Sequence, residues 1–115
     1  MRRGDIWVAV LAPRSGSEEK GRRPVIVVSH DGFNSVPGWR SVVVIPVSTS
    51  RSQAARGPTA VGIDAGSGGL RHGSVALCHQ VTTLSREKLS RRIGSLSRSD
   101  MELVSSGLKA ALDLD

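Results

Sequence analysis

The fold is decided by the run Ser41–Ser48 (SVVVIPVS), whose centre is apolar from Val42 to Val47. A second run, Pro24–Ser29 (PVIVVS), has the same β-branched character. Neither run alternates polar with apolar residues, so each is expected to be buried on both faces. Their length and their turn-rich flanks favour strands over helices. The two runs therefore predict the central strands of a mainly β fold.

Further strands are predicted on either side of these two runs, and the chain closes with a helix. The predicted strands are Gly4–Leu11, Thr59–Ile63, Ser74–Thr83 and Arg92–Leu96, with a turn at Gly66–Gly69 and one helical turn at Ser85–Leu89. Ser97 is the expected helix cap, with the acid Asp100 three residues later. After them, one helical face collects the apolar residues Met101, Val104, Leu108, Ala111 and Leu112.

Strands that are apolar on both faces must pack against other residues on both sides. A small barrel buries one face internally, and the C-terminal helix can cover part of the other. A second copy of the chain is a candidate for the rest, so we expect a homodimer with a groove along its basic surface. The alternative is a monomer for which the helix suffices.

Length and composition restrict the class of protein. The chain has 115 residues and 12.1 kDa, which fits one domain over residues 1–115. Aromatic residues make up 3%, which argues against a base-stacking platform. The single cysteine, Cys78, excludes an internal disulfide and a multi-thiolate zinc site. No apolar run is long enough to span a bilayer, so we expect a soluble, cytoplasmic protein that makes no membrane contact.

The charge is strongly basic and unevenly distributed. Sixteen basic residues, most of them arginine, face 10 acidic ones, for a net charge of +6. Residues 1–95 carry a net charge of +8 and residues 96–115 a net charge of −2. A positive field on the body of the domain favours a polyanionic ligand, such as nucleic acid or an acidic peptide. The alternative is a basic surface that binds nothing.

Common catalytic patterns are missing from the sequence. There is no G-x-S-x-G motif, and the turn Gly66–Gly69 is not followed by the Lys-Ser/Thr of a phosphate loop. The histidines His30, His72 and His79 have no carboxylate at metal-ligand spacing. We therefore expect neither a metal nor a cofactor.

What remains is a basic site at two strand ends. Arg23 precedes Pro24, which disfavours the helical region for Arg23 and fixes an extended entry into a buried strand. Ser48 ends the other buried strand, and two such ends can lie side by side in an antiparallel sheet. An arginine and a hydroxyl held there would suit a phosphate. The alternative is a surface arginine and a strand-ending serine without further role.

Ordered motifs over nearly the whole chain resemble the MazF/PemK-type toxin endoribonucleases. The motifs are Arg3–Trp7 (RGDIW), Gly16–Glu18 (GSE), Arg23–Ser29 (RPVIVVS), Val44–Ser48 (VIPVS), Leu77–Leu84 (LCHQVTTL) and Ile93–Ser97 (IGSLS). The resemblance implies an α+β fold: an SH3-like barrel of about five to seven strands with a C-terminal helix packed on it. It also implies a homodimer that cleaves single-stranded RNA without a metal. The expected partner is a cognate antitoxin with an acidic C-terminal segment.

The resemblance also assigns residues by position. Arg23 matches the catalytic arginine of the family, and Ser48 matches a position where the family commonly has threonine. Thr49 is the alternative hydroxyl if the register is shifted by one residue. The implied RNA-binding residues are Ser17, Glu18, Glu19, Lys20, Thr49, Arg51, His79 and Gln80.

Cleavage by the ribose 2′-OH suits these residue types. Arg23 and a hydroxyl would stabilise charge on the phosphoryl oxygens, and Arg23 would protonate the leaving oxygen. An arginine is a poor base because it stays protonated, so His79 or His72 is the reserve candidate for the base. The rival function on the same fold is a non-enzymatic inhibitor of a protein such as DNA gyrase, which would need neither Arg23 nor Ser48.

Overall fold

The computed structural model describes residues 1–11, 21–50 and 57–115, and it is mainly β with a C-terminal helix. Seven strands form one antiparallel sheet. They are β1 (Asp5–Leu11), β2 (Gly21–Val27), β3 (Ser41–Ser48), β4 (Ala60–Ile63), β5 (Ser74–Leu77), β6 (Thr82–Ser85) and β7 (Leu89–Ser95). The helices are the short α1 (Asp31–Asn34) and the long α2 (Arg98–Leu112), with 3-10 turns at Ser67–Gly69, Cys78–Gln80 and Arg86–Lys88. The predicted α+β class and the strand number are confirmed.

Strand β3 is the centre of the sheet because it pairs with three other strands. The sheet order is β4-β5-β3-β2-β1-β7, and β6 pairs with β3 beside β5. One edge of β3 bonds to β2. The other edge bonds to β6 over Ser41–Val44 and then to β5 at Val47 and Ser48.

Pro46 lies within this central strand, where a proline normally removes a ladder hydrogen bond. The carbonyl of Val43 accepts from the Val28 N–H across the β2 edge. Alternation along the strand therefore points the nitrogen of Pro46 toward the opposite edge. That edge has no paired residue at Ile45 and Pro46, because the partner changes there from β6 to β5. The missing N–H thus falls where no ladder bond is required.

The prediction of one strand over Ser74–Thr83 is wrong. The 3-10 turn Cys78–Gln80 divides it into β5 and β6, because the two halves pair with different stretches of β3. The N–H of Cys78 turns away from β3 and donates to the Thr59 carbonyl at 2.9 Å. A period-2 pattern in the sequence does not reveal such a change of partner.

Two hydrophobic clusters lie on opposite faces of the sheet, as the apolar runs predict. One cluster is under α2 and contains Ile6, Ile26, Ile45, Val47, Ile63, Leu70, Ala76, Cys78, Leu96, Met101 and Val104. The other contains Ala9, Leu11, Val25, Val27, Val42 and Val44, with Met1, Trp7, Leu84 and Leu89 packed against it. Both clusters are buried within one chain. The homodimer expected from the sequence therefore does not follow from these two clusters alone.

Helix α2 begins at the predicted cap. The Oγ of Ser97 accepts from the Asp100 N–H at 3.1 Å, and Met101 and Val104 are buried beneath the helix. Leu112, which the sequence places on the buried face, is instead 51% exposed at the helix end. The chain leaves the helix there through Asp113 in the left-handed conformation.

Glycines hold the Ser67–Gly69 turn against β7. A Cβ on Gly94 would collide with the carbonyl oxygen of Gly68, and a Cβ on Gly69 would lie 2.7 Å from the carbonyl oxygen of Ile93. Backbone therefore packs on backbone at this contact, without room for a methyl group. The contact fixes the point from which the following residues, Leu70–His72, continue toward β5.

We expect Gly94→Ala to lower the free energy of unfolding by about 1–3 kcal/mol, since the turn must shift to admit the methyl group. The matched control is Gly62→Ala in β4, where an added Cβ meets no atom within 4 Å. Chemical denaturation of the two variants measures the difference. Equal stability of the two would show that the turn adapts freely.

Candidate functional site

Arg23 and Ser48 lie on adjacent strands, each two residues beyond the last β2–β3 pair, Val25 with Pro46. The register of β2 with β3 pairs Val25 with Pro46, so its continuation by two residues brings Arg23 opposite Ser48. On its other edge Arg23 pairs with Ala9, and Ser48 pairs with Val75. The sheet thus places these two predicted site residues in one row, at the end where β2 begins and β3 ends.

The hydroxyl of Ser48 is buried and held by a backbone hydrogen bond. Ser48 is 7% exposed, and its Oγ accepts from the Ser50 N–H at 3.1 Å. Because that bond occupies a lone pair and leaves the hydroxyl proton available, Ser48 can still donate to an anion. A donor fixed in a little-hydrated position is the kind that stabilises developing negative charge well.

A cleft of about 550 Å³ opens beside Arg23 and carries a dense positive charge. Its walls come from β2, from the end of β3, from the segment Gly69–His72 and from β7. The lining side chains with a positive charge or an imidazole are Arg23, Arg71, His72, Arg91 and Arg92. No carboxylate is among the described residues that line it. This arrangement suits a polyanion.

Two hydroxyl residues also line the cleft. Thr49 follows the end of β3 and is exposed, whereas Ser74 is buried and donates from its Oγ to the His72 carbonyl at 2.8 Å. The Ser74 contact fixes the backbone that carries Arg71 and His72. Thr49 therefore lines the same cleft as Arg23. Ser48 lies opposite Arg23 by continuation of the register and is not among the residues that line the cleft.

Arg92 is held by a buried carboxylate. Its Nε lies 3.4 Å from Oδ1 of Asp5, a residue that is 5% exposed. The other carboxylate oxygen of Asp5 accepts from the Arg2 N–H at 2.9 Å. Asp5 belongs to the RGDIW motif, so this motif connects the chain start to the cleft wall.

His79 and Gln80 lie away from the lining of this cleft. Both are on the 3-10 turn Cys78–Gln80, and His79 Nδ1 is 3.4 Å from Thr59 Oγ1. Five other residues predicted to bind RNA, Ser17, Glu18, Glu19, Lys20 and Arg51, are outside the described residues.

Cys78 is a packing residue. It is fully buried beneath α2, where a Cβ added to Gly107 would lie 2.7 Å from its Sγ. Burial raises the pKa of the Cys78 thiol to about 11, so the thiol stays protonated at neutral pH. The neighbouring pair Cys78 and His79 is thus no nucleophile and base.

Metal and membrane features are not found in the part of the chain that the structure describes. Its histidine, cysteine and acidic side chains form no group of three that could hold a metal ion. Residues 1–11, 21–50 and 57–115 contain no helix that is long and apolar enough to cross a membrane.

Three arginines of the cleft, Arg71, Arg91 and Arg92, were not among the site residues predicted from the sequence. Arg91 and Arg92 lie on β7, which reaches Arg23 through the long-range pairing of β7 with β1 and of β1 with β2, whereas Arg71 lies in the loop after the Ser67–Gly69 turn. The available signal was the adjacent pair Arg91 and Arg92 in a strongly basic chain. Nothing local in the sequence shows that these residues face Arg23.

Comparison with known proteins identifies the family. Residues 2–112 match the model of the PemK-like, MazF-like toxins of type II toxin–antitoxin systems. An endoribonuclease MazF of Staphylococcus saprophyticus is 34% identical over 114 residues, which cover 99% of this chain and 92% of that protein.

Solved structures agree with this match. The toxin MazF-mt6 of Mycobacterium tuberculosis superposes with a TM-score of 0.76 at 29% identity, over 96% of this chain and 98% of that one. MazF in a MazE–MazF crystal structure from Deinococcus radiodurans gives a TM-score of 0.73 at 25% identity, over 100% and 97% of the two chains. The chain belongs to the PemK-like, MazF-like toxin family of type II toxin–antitoxin systems.

Proposed function

We propose that this toxin is an endoribonuclease that cuts single-stranded mRNA at short sequences and thereby stops translation. The observation that carries the proposal is the cleft lined by Arg23 and three further guanidinium groups, with Ser48 opposite Arg23 when the β2–β3 register is continued by two residues. Its 34% identical relative is named an endoribonuclease. Because mRNA is translated in the cytoplasm, an mRNA substrate places the activity of this toxin there.

The chemistry follows from what the substrate itself supplies. The ribose 2′-OH gives its proton to a base, for which His72 is the candidate in the cleft, and attacks the adjacent phosphorus. The P–O2′ bond forms and the P–O5′ bond breaks. The products are a 2′,3′-cyclic phosphate and a 5′-OH end. Since the nucleophile belongs to the RNA, the reaction requires no activated water, and we expect it to proceed in excess EDTA.

Arg23 and Ser48 stabilise the charge that develops on the phosphoryl oxygens. Pro24 restricts the backbone of Arg23, and the Ser50 N–H holds the Oγ of Ser48. The hydroxyl of Ser48 and the backbone of Arg23 are therefore positioned before the substrate arrives, which favours electrostatic stabilisation. Arg23 also donates a proton toward the leaving O5′.

The partners follow from charge and from the family. A MazE–MazF complex is known for the Deinococcus relative, and we propose that an antitoxin with an acidic C-terminal segment binds the basic surface of this chain. We also propose that the toxin is a homodimer. The packing within one chain does not require it, so the dimer rests on the family.

Arg23→Ala is expected to reduce cleavage by about 10²-fold or more, since it removes a preorganised donor to the phosphoryl oxygens. Purified protein is incubated with a long single-stranded RNA in excess EDTA, and the 5′ ends are mapped. The control is Arg98→Ala on α2, an exposed arginine 3.8 Å from Glu102. Intact RNA with folded wild-type protein would contradict the proposal and favour inhibition of a protein target.

The adjacent hydroxyls are separated by Ser48→Ala and Thr49→Val. We expect the Ser48 change to lower the single-turnover rate by about 10²-fold, because Ser48 is the hydroxyl in register with Arg23. Thr49→Val keeps the shape of the side chain and should leave the rate close to wild type. The reverse order would assign the phosphate contact to Thr49.

The base is tested by replacing each imidazole with an amide. His72 lines the cleft with Arg23, whereas His79 is beside Thr59, so we expect His72→Gln to lower the rate by about 10²-fold or more and His79→Gln to preserve it. Rates between pH 5 and 8 cover the range in which imidazoles change protonation. An unchanged pH profile in both variants would exclude a histidine base.

A further inference from the structure

The positive charge in the cleft exceeds what one scissile phosphate requires. Arg23 and Ser48 already supply the donors for that phosphate. Arg71, Arg91 and Arg92 add three more guanidinium groups to the same cleft. Four arginines around one cleft repel each other, so their proximity is a cost that an anion would offset.

Two of these arginines are unpaired within the described residues. Arg71 and Arg91 are exposed, and neither has a hydrogen bond or an ion pair to another described residue. The nearby carboxylates do not neutralise them: Asp5 is beside Arg92, and Asp64 lines a neighbouring recess on the far side of Ser74. Their donors therefore face solvent in the cleft.

One nitrogen of Arg92 is held by the Asp5 carboxylate, which orients the guanidinium group. Asp5 approaches its Nε, which leaves the two terminal nitrogens available to a ligand. A guanidinium held from one side presents a planar pair of donors to the other side, and this geometry matches a phosphate. Asp5 is in this sense a positioning residue for Arg92.

We propose that Arg71, Arg91 and Arg92 form a second phosphate subsite, which binds the RNA backbone beside the scissile phosphate. The inference rests on the proposed function, since it takes RNA as the substrate. In this arrangement Arg23 and Ser48 act on the reacting phosphate, and the three further arginines hold the neighbouring phosphate without taking part in the chemistry. Phosphate contacts of this kind fix register and carry no base specificity.

The test measures binding rather than cleavage. The probe is a fluorescent single-stranded RNA in which every ribose carries a 2′-O-methyl group, so that no 2′-OH can attack. The dissociation constant is measured against salt concentration for the wild type, Arg71→Ala, Arg91→Ala and the double variant. The control is Lys109→Ala, which removes a positive charge near the end of α2.

We expect each single variant to weaken binding by about tenfold. Each lost phosphate contact should also lower the slope of log K against log salt by about 0.7, and the double variant by about twice that amount. The Lys109 variant should match the wild type. Both arginines are exposed, and thermal denaturation checks that the variants remain folded.

Three outcomes would overturn the inference or its basis. Wild-type binding with unchanged slopes in the arginine variants would overturn the second subsite and leave the endoribonuclease proposal standing. No binding of RNA by the wild type would overturn both. If a glutamate-rich peptide binds and loses affinity in Arg91→Ala while RNA binding is unchanged, the cleft belongs to an acidic protein segment instead.

Discussion

The structure depends on one strand that is buried on both faces and paired along both edges. Strand β3 bonds to β2 on one edge and to β6 and then β5 on the other. No other described strand joins as many neighbours, so the positions of the two hydrophobic clusters follow from it. The same strand ends at Ser48, and the register with β2, continued two residues past Val25 and Pro46, brings Arg23 opposite Ser48. Core packing and the candidate site are therefore set by a single register.

Much of this was predictable from local sequence, because local forces decide it. The β-branched run Ser41–Ser48 forms β3 with the predicted bounds, and Ser97 caps α2 as its spacing to Asp100 indicates. The break at Cys78–Gln80 was not predictable, since it follows from a change of partner on β3. Alternation along a strand reports which faces are buried, and it does not report which strand is the neighbour.

The same distinction applies to the site. Arg23 and Ser48 were predicted as site residues because ordered motifs resemble a known family; the restriction by Pro24 and the end of an apolar run left a role-free alternative open. Arg91 and Arg92 carry no such signal: they join the cleft only because β7 pairs with β1 and β1 with β2. A long-range register is fixed by the whole sheet, so residues recruited through it are hidden in a single sequence.

The physical difference between the arginines indicates a division of roles. Arg23 extends from a strand that enters the core, where Pro24 limits the backbone and Ser48 lies in register. Arg71 and Arg91 are exposed, as Arg23 is, but no proline follows them; the rotamer freedom that they lose on binding costs binding energy and tolerates variation in the bound chain. A reacting phosphate needs fixed donors, because misplacement costs rate, whereas a flanking phosphate needs only attraction. The adjacent ends of β2 and β3 supply the donors for the reacting phosphate. The edge strand β7 and the loop before β5 supply the donors for the flanking phosphate.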